Sequence, residues 1–236
     1  MKKILLISLI SISIFGCSSL ELESISSSEE ETQKILALGL THEENLIEAK
    51  KLKGNHLISV VTLQLNNARD EKIQSEIDQV ESKNYAEIVK VSQDGLSFIG
   101  PEVVESISTM LSSELNIQKY YLSGFKDSNH QTASHKLNVT FEYISPKSRN
   151  YNSANFCDKW SRCNGEMIEI ILISVNASEC TSYSCKYKEV VELELSDEFL
   201  KNSIKTGLKI GFYSNTNSNK INISKAYLMG YLSALN

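Results

Sequence analysis

The sequence predicts an α+β fold, mainly antiparallel sheet with flanking helices. Three patterns predict it. Leu137, Val139, Phe141 and Tyr143 alternate with polar residues, as do Val191, Leu193 and Leu195, which marks half-buried strands. Asp94-Gly95 stands between two strand-like runs, a strong hairpin signal. Several apolar stripes at helical spacing begin with a capping residue, as in Thr41 with Glu44. The expected organisation is a signal segment at 1–16, an acylated cysteine and flexible tether at 17–33, and a helical segment at 34–54. An α+β domain at 55–126 follows, then a strand-rich, disulfide-containing domain at 127–236 that ends in a helix.

Ser18–Gln33 is rich in Ser and Glu and reads as a tether, because so few apolar groups do not offset chain entropy. Ser28 with Glu31 and Thr41 with Glu44 have capping-box spacing ahead of two short helices, with Gly39 and Gly54 as their stops. Leu57–Leu65 is apolar and β-branched and reads as a strand. Ile73, Ile77 and Val80 form a helical stripe, Tyr85–Ser92 alternates, and Leu96–Ile99 completes the hairpin. Gly100-Pro101 opens a helix with Val104, Ile107, Leu111 and Leu115 on its buried face, and Lys119–Phe125 is a strand. The order β-α-β-β-α-β matches a ferredoxin-like half. Beyond the polar loop Asp127–Ser134, Glu166–Asn176 reads as one strand, and Ser196 caps a short helix. Gly207–Tyr213 and Lys220–Ile223 form a hairpin. Ser224 caps a final helix striped by Leu228, Leu232 and Leu235 beside Tyr227 and Tyr231.

The N-terminus carries the address. Lys2 and Lys3 precede the apolar run Ile4–Phe15, which is shorter than the roughly 20 residues a membrane span needs. The run ends in Ile14-Phe15-Gly16-Cys17, which resembles the bacterial lipobox. The resemblance covers residues 1–18 and implies cleavage before Cys17, acylation of that cysteine, and a lipid-held cell-envelope protein. Ser18 is not the aspartate that retains such proteins at the inner membrane, so the resemblance implies the outer membrane, on its periplasmic or surface face. Loss of Lys2 and Lys3 takes the formal charge from −5 to −7, which argues against nucleic acid as a partner.

Acylation uses one of five cysteines and leaves Cys157, Cys163, Cys180 and Cys185. A strand over Glu166–Asn176 would span about 35 Å at about 3.3 Å per residue. A disulfide needs Cα atoms within about 7 Å, so local pairs, Cys157–Cys163 and Cys180–Cys185, are favoured. Zinc is the rival reading, but structural zinc prefers shorter spacers and a reducing context.

No catalytic set has adequate spacing, and no metal or cofactor is expected. His42-Glu43-Glu44 lacks a second histidine four residues on, and His130 and His135 sit in or beside the polar loop near Asp127. Glu166/Glu169 and Glu192/Glu194 read as solvent-facing glutamates. The local contrast is Pro146–Gly165, where Lys147, Arg149, Lys159 and Arg162 oppose Asp158 alone. With Tyr151, Phe156 and Trp160 it makes a candidate binding loop. The alternative is a long loop stapled down for stability, its aromatics plugging a sheet edge. The expected function is therefore non-catalytic binding or assembly at the envelope, through an envelope protein or an anionic glycan. An envelope-polymer hydrolase whose carboxylates converge only in the fold is the alternative. Metabolic palmitate labelling should disappear in a Cys17→Ser variant, and labelling that persists there would refute the lipobox reading.

Overall fold

A computed structural model describes residues 19–107, 116–127, 133–158 and 161–235. The chain is α+β with antiparallel sheets and divides after Ser75 into two compact units. The expected boundary at 126/127 falls inside the second unit. The signal segment, Cys17, Leu111 and Leu115 lie outside the described residues.

In the first unit, α1 (Ser19–Leu36) runs through the expected tether. Composition hid its buried stripe, since Ser28, Thr32 and Ile35 fall at i, i+4, i+7 and two of them are polar. The Thr32 hydroxyl, with one proton to donate, lies 2.8 Å from the Ser28 carbonyl and 2.5 Å from Gln64 Oε1. Gly39 ends this segment at φ +66°, a conformation only glycine adopts cheaply. The helix α2 (His42–Ala49) starts with the expected Thr41–Glu44 capping box. The segment expected as strand, Leu57–Leu65, is instead the start of α3 (Asn55–Ile88). Its apolar run contains a helical stripe, Leu57, Val61 and Leu65, and Val61 and Leu65 pack with Ile35 and Ala49.

In the second unit α3 continues to Ile88, so the first half of the strand expected at Tyr85–Ser92 is also helix. The helix buries Asp78 and packs Tyr85 on the C-terminal helix, while Ile73, Ile77 and Val80, expected inside, are exposed. The hairpin stands as expected: β1 (Lys90–Val91) pairs β2 (Ser97–Ile99), and Gly95 turns at φ +71°.

The helix expected from Pro101 begins as strand β3 (Val103–Ile107). The reason is β4 (Asn116–Lys126), long enough to hold β2 along one half and β3 along the other. Both lie on the same side of it, interrupted at Gly100-Pro101-Glu102. Tyr227 fills the interruption, accepting from the Leu122 amide at 3.0 Å and donating to the Pro101 carbonyl at 2.9 Å. The described residues of 55–126 run helix, then strands, so they do not follow the expected β-α-β-β-α-β order of a ferredoxin-like half.

Next come β5 (Ala133–Ser145), β6 (Ser153–Phe156), β7 (Ile168–Glu169), β8 (Ile171–Ser178) and β9 (Cys185–Ser196). The single strand expected over Glu166–Asn176 is thus two, because the chain changes sheets at buried Ile170. Ser196 caps α4 (Asp197–Ser203) as expected. The hairpin β10 (Leu208–Tyr213) and β11 (Ser218–Ile223) and the final helix α5 (Lys225–Ser233), capped by Ser224, complete the chain. One sheet has the order β1-β2-β4-β5-β9-β8, with β3 also on β4. The other runs β11-β10-β6-β7. The alternating residues of β5 and β9, the inner faces of β6 and β10, and α5 share one core.

Nearly the whole circumference of α5 is buried, and Gly230 is its closest approach to α3. A Cβ at Gly230 would lie 2.4 Å from the Ser82 carbonyl oxygen and 2.6 Å from Tyr85 Cβ. Alanine gains about 1 kcal/mol of helix propensity, whereas overpacking against backbone costs about 1–3 kcal/mol. Gly230→Ala should therefore lower the melting temperature, although the same change in an exposed helix would raise it.

Candidate functional site

The four cysteines form the two expected local pairs. Cys157 and Cys163 have Cα atoms 3.9 Å apart, and Cys180 and Cys185 4.0 Å apart. The first pair closes a short loop at the end of β6. Its turn includes Ser161 at φ +61°, with the Ser161 amide bonded to the Asp158 carbonyl at 2.9 Å. Asp158 also accepts the Arg162 amide and guanidinium, at 2.9 and 2.8 Å.

The structure separates the residues of the expected binding loop. Tyr151 is fully buried, stacked on Phe141 with ring centroids 4.2 Å apart. Phe156 packs against Phe199 at 4.4 Å. Arg149 lies with its guanidinium 3.9 Å over the Tyr143 ring and donates to Asn116 Oδ1 at 2.8 Å. These three therefore hold the fold together. Lys147 and Arg162 are exposed, while Lys159 and Trp160 lie outside the described residues.

Two cations that the linear sequence does not associate with the loop reach it from the neighbouring hairpin. Lys209 on β10 donates to Ser161 Oγ at 3.0 Å, and Lys220 on β11 to the Ser161 carbonyl at 2.8 Å. Register explains their arrival, since the Cys157 amide bonds the Lys209 carbonyl at 2.9 Å and β11 lies on the far side of β10. Lys209, Lys220 and Arg162 thus surround one stapled turn, opposed among the described residues by Asp158. Each ammonium carries three donors and spends one on Ser161, so the cluster retains capacity for an anionic group.

A residue that sequence reasoning missed sets the base of this region. Glu189 on β9 is fully buried and accepts the Arg149 amide at 2.7 Å, the Asn150 amide at 3.0 Å and the Tyr151 amide at 3.2 Å. The Tyr143 hydroxyl donates to the same carboxylate. Burial and this carboxylate push the Tyr143 phenol above its ordinary range. The signal was available: Glu189 shares the parity of Val191, Leu193 and Leu195, so it belongs to the inward row. Glu192 and Glu194 have the outward parity, and Glu192 pairs with Lys136 at 2.7 Å.

His135, expected at an exposed loop, is instead buried on β5, because it shares the inward parity of Leu137 and Val139. Its Nε2 lies 3.2 Å from Asp197 Oδ1 and its Nδ1 3.0 Å from the Tyr231 hydroxyl. An ionised carboxylate only accepts, so Nε2 carries the proton, and the neutral ring accepts from Tyr231 at Nδ1. Gly124 leaves room for this contact, since a Cβ there would lie 2.8 Å from both His135 Nδ1 and the Tyr231 oxygen. His42, at the start of α2, meets Asn66 at 3.0 Å. His130 lies outside the described residues. Among the described residues no group of three or more His, Cys, Asp or Glu is arranged to hold a metal, and no helix is long and apolar enough to cross a membrane.

No protein-family model, curated protein or solved structure matches the chain.

Burial holds the His135 imidazole below the ordinary histidine range, outweighing the opposing pull of Asp197. The unfolded chain therefore takes up its proton first as pH falls. The contribution of His135 to stability is complete above about pH 6.5, the unperturbed value, and shrinks below it. Melting temperature should drop between pH 7 and pH 5 by more in the parent than in His135→Gln. Equal drops would show that this imidazole does not control the acid response.

Proposed function

We propose that this chain is a lipid-anchored cell-envelope protein with a non-catalytic binding or assembly role, and that the stapled turn around Ser161 contacts an anionic partner. The convergence of Lys209, Lys220 and Arg162 on one disulfide-closed turn is the observation that carries the binding role. A cationic cluster within a chain of net charge −5 is a local reversal of sign, which favours an acidic protein patch or an anionic glycan. The disulfide restricts the turn before binding, so little ordering entropy remains to be lost on contact. The resemblance of Ile14–Cys17 to a lipobox supports the address, with the outer membrane as the default site because Ser18 follows Cys17.

The test uses immobilised polyglutamate and an immobilised sulfated glycan as probes of the two partner chemistries. Arg162→Glu with Lys220→Glu should abolish retention of the purified protein on whichever probe binds the parent, with an unchanged melting temperature. Retention should also fall with added salt, because exposed charges are screened over about 10 Å at 0.1 M. Undiminished retention of the double variant would remove the turn from the interface.

A further inference from the structure

We propose that the open edge of β8 pairs antiparallel with the same edge of a second copy, joining two seven-stranded sheets across a two-fold axis. Among the described residues β8 hydrogen-bonds only to β9, so alternate amides and carbonyls along its other side face outward. Such edges are ordinarily protected by charge, proline or brevity. From Ile171 to Ser178 the strand has no charged residue, no proline and no glycine. Ile171, Leu172, Ile173 and Val175 are 48, 41, 55 and 37 % exposed. A register shift between Leu172 and Ser174 bends the strand and leaves Ser174–Ser178 as its regular part.

Register defines the two faces. Leu172 and Val175 stand opposite Val191 and Glu189, so they prolong the inward row of β9 to an edge where they stay partly exposed. A two-fold axis perpendicular to the sheet keeps the inward faces of both copies on one side. Leu172 and Val175 of each copy then cover those of the other.

The occupant follows from self-complementarity. An uncharged strand meets no like-charge clash against itself in any symmetric register. The flanking charges are antisymmetric along β9: Lys188 and Lys186, the latter paired with Glu179 at 3.6 Å, lie beside the end of β8, whereas Glu192, paired with Lys136 at 2.7 Å, lies beside its start. An antiparallel partner sets Lys188 of one copy toward Glu192 of the other. That separation is about 14 Å, three strand spacings of about 4.8 Å, so at physiological salt it orients the pair and adds little affinity. The opposite edge of the sheet favours closure at two copies. That edge is split between β1, of two residues, and β3, of five, each shorter than the eight residues of β8.

The test is sedimentation equilibrium of the full chain in mild detergent at micromolar concentration, with Ile173→Lys and Ile173→Glu as paired variants. Ile173 is more than half exposed, and an unchanged melting temperature confirms that each variant is folded. The parent should contain two chains per particle. Each variant alone should dimerise at least about tenfold more weakly, since like charges then face one another in place of apolar side chains. Mixing the two variants should restore the dimer. A monomeric parent, variants that dimerise as the parent does, mixing that restores nothing, or open-ended polymers would each overturn the proposal. Dimerisation is read without any anionic probe, so its outcome is separate from that of the Ser161 turn.

Discussion

Glu189 is a carboxylate with no access to water, and the path of the chain between the two sheets depends on how it is satisfied. A buried charge is tolerable only where hydrogen bonds replace its hydration. Here they come from one tyrosine hydroxyl and three consecutive backbone amides, Arg149, Asn150 and Tyr151. Three successive amides can converge on one acceptor only if the backbone curls, and Asn150 supplies the curl at φ +54°. The same curl takes the chain from the end of β5 to the start of β6, out of the large sheet and into the small one. The disulfide-closed turn hangs from the far end of β6. On the other side of Glu189, Val175 of the edge strand is its register partner. Both candidate contact surfaces are therefore placed by strands that this carboxylate fixes.

The rest of the core relies on the same compromise between apolar bulk and polar tips. Tyr143, Tyr151, Tyr227 and Tyr231 are among its largest fully buried side chains, and each hydroxyl has a partner. A tyrosine fills volume as phenylalanine does, yet its hydroxyl must be paired once water is excluded. Pairing makes these residues directional. Tyr120 donates to the Asn222 carbonyl at 2.8 Å and Gln118 to the Lys220 carbonyl at 2.7 Å, so β4 and β11 are held in a specific offset. Tyr227 and Tyr231 do the same for α5 against β4 and β5. Greasy contact alone would permit sliding between the sheets, and these bonds penalise it.

Much of this was legible in the sequence wherever one residue or one period carries the information. Thr41, Ser196 and Ser224 each cap the helix expected of them, Asp94-Gly95 makes its turn, and the alternations on β5 and β9 mark buried rows. Legibility failed where a pattern fits two periods. Leu57–Leu65 satisfies strand composition and also holds an i, i+4, i+8 stripe, and only its helical partners decide between them. It failed again at Val103–Ile107, whose pairing rests on the length of β4, a property of distant residues. Composition misled at Ser28 and Thr32, where small polar residues form a buried helix face by bonding along and across helices. Of the candidate site, the local disulfides match the expectation although the single strand it assumed over Glu166–Asn176 is two, and the helpers Lys209 and Lys220 were not readable, because strand register alone brings them to Ser161.

The two surfaces differ in what each demands of its partner. The Ser161 turn offers charge on a short, stiff element, so its contacts are long-ranged, salt-sensitive and undemanding of shape. The β8 edge offers backbone groups and half-covered aliphatics, which gain nothing until a partner strand lies in register. The second demand carries the larger entropic cost, since association forfeits translational and rotational freedom. Anchoring through Cys17 would change that balance. Copies confined to one membrane would meet at an effective concentration set by the reach of the anchor, so a contact that forms at micromolar concentration in solution would be more fully populated there. On this view an N-terminal lipid would contribute to the binding energetics of the folded unit.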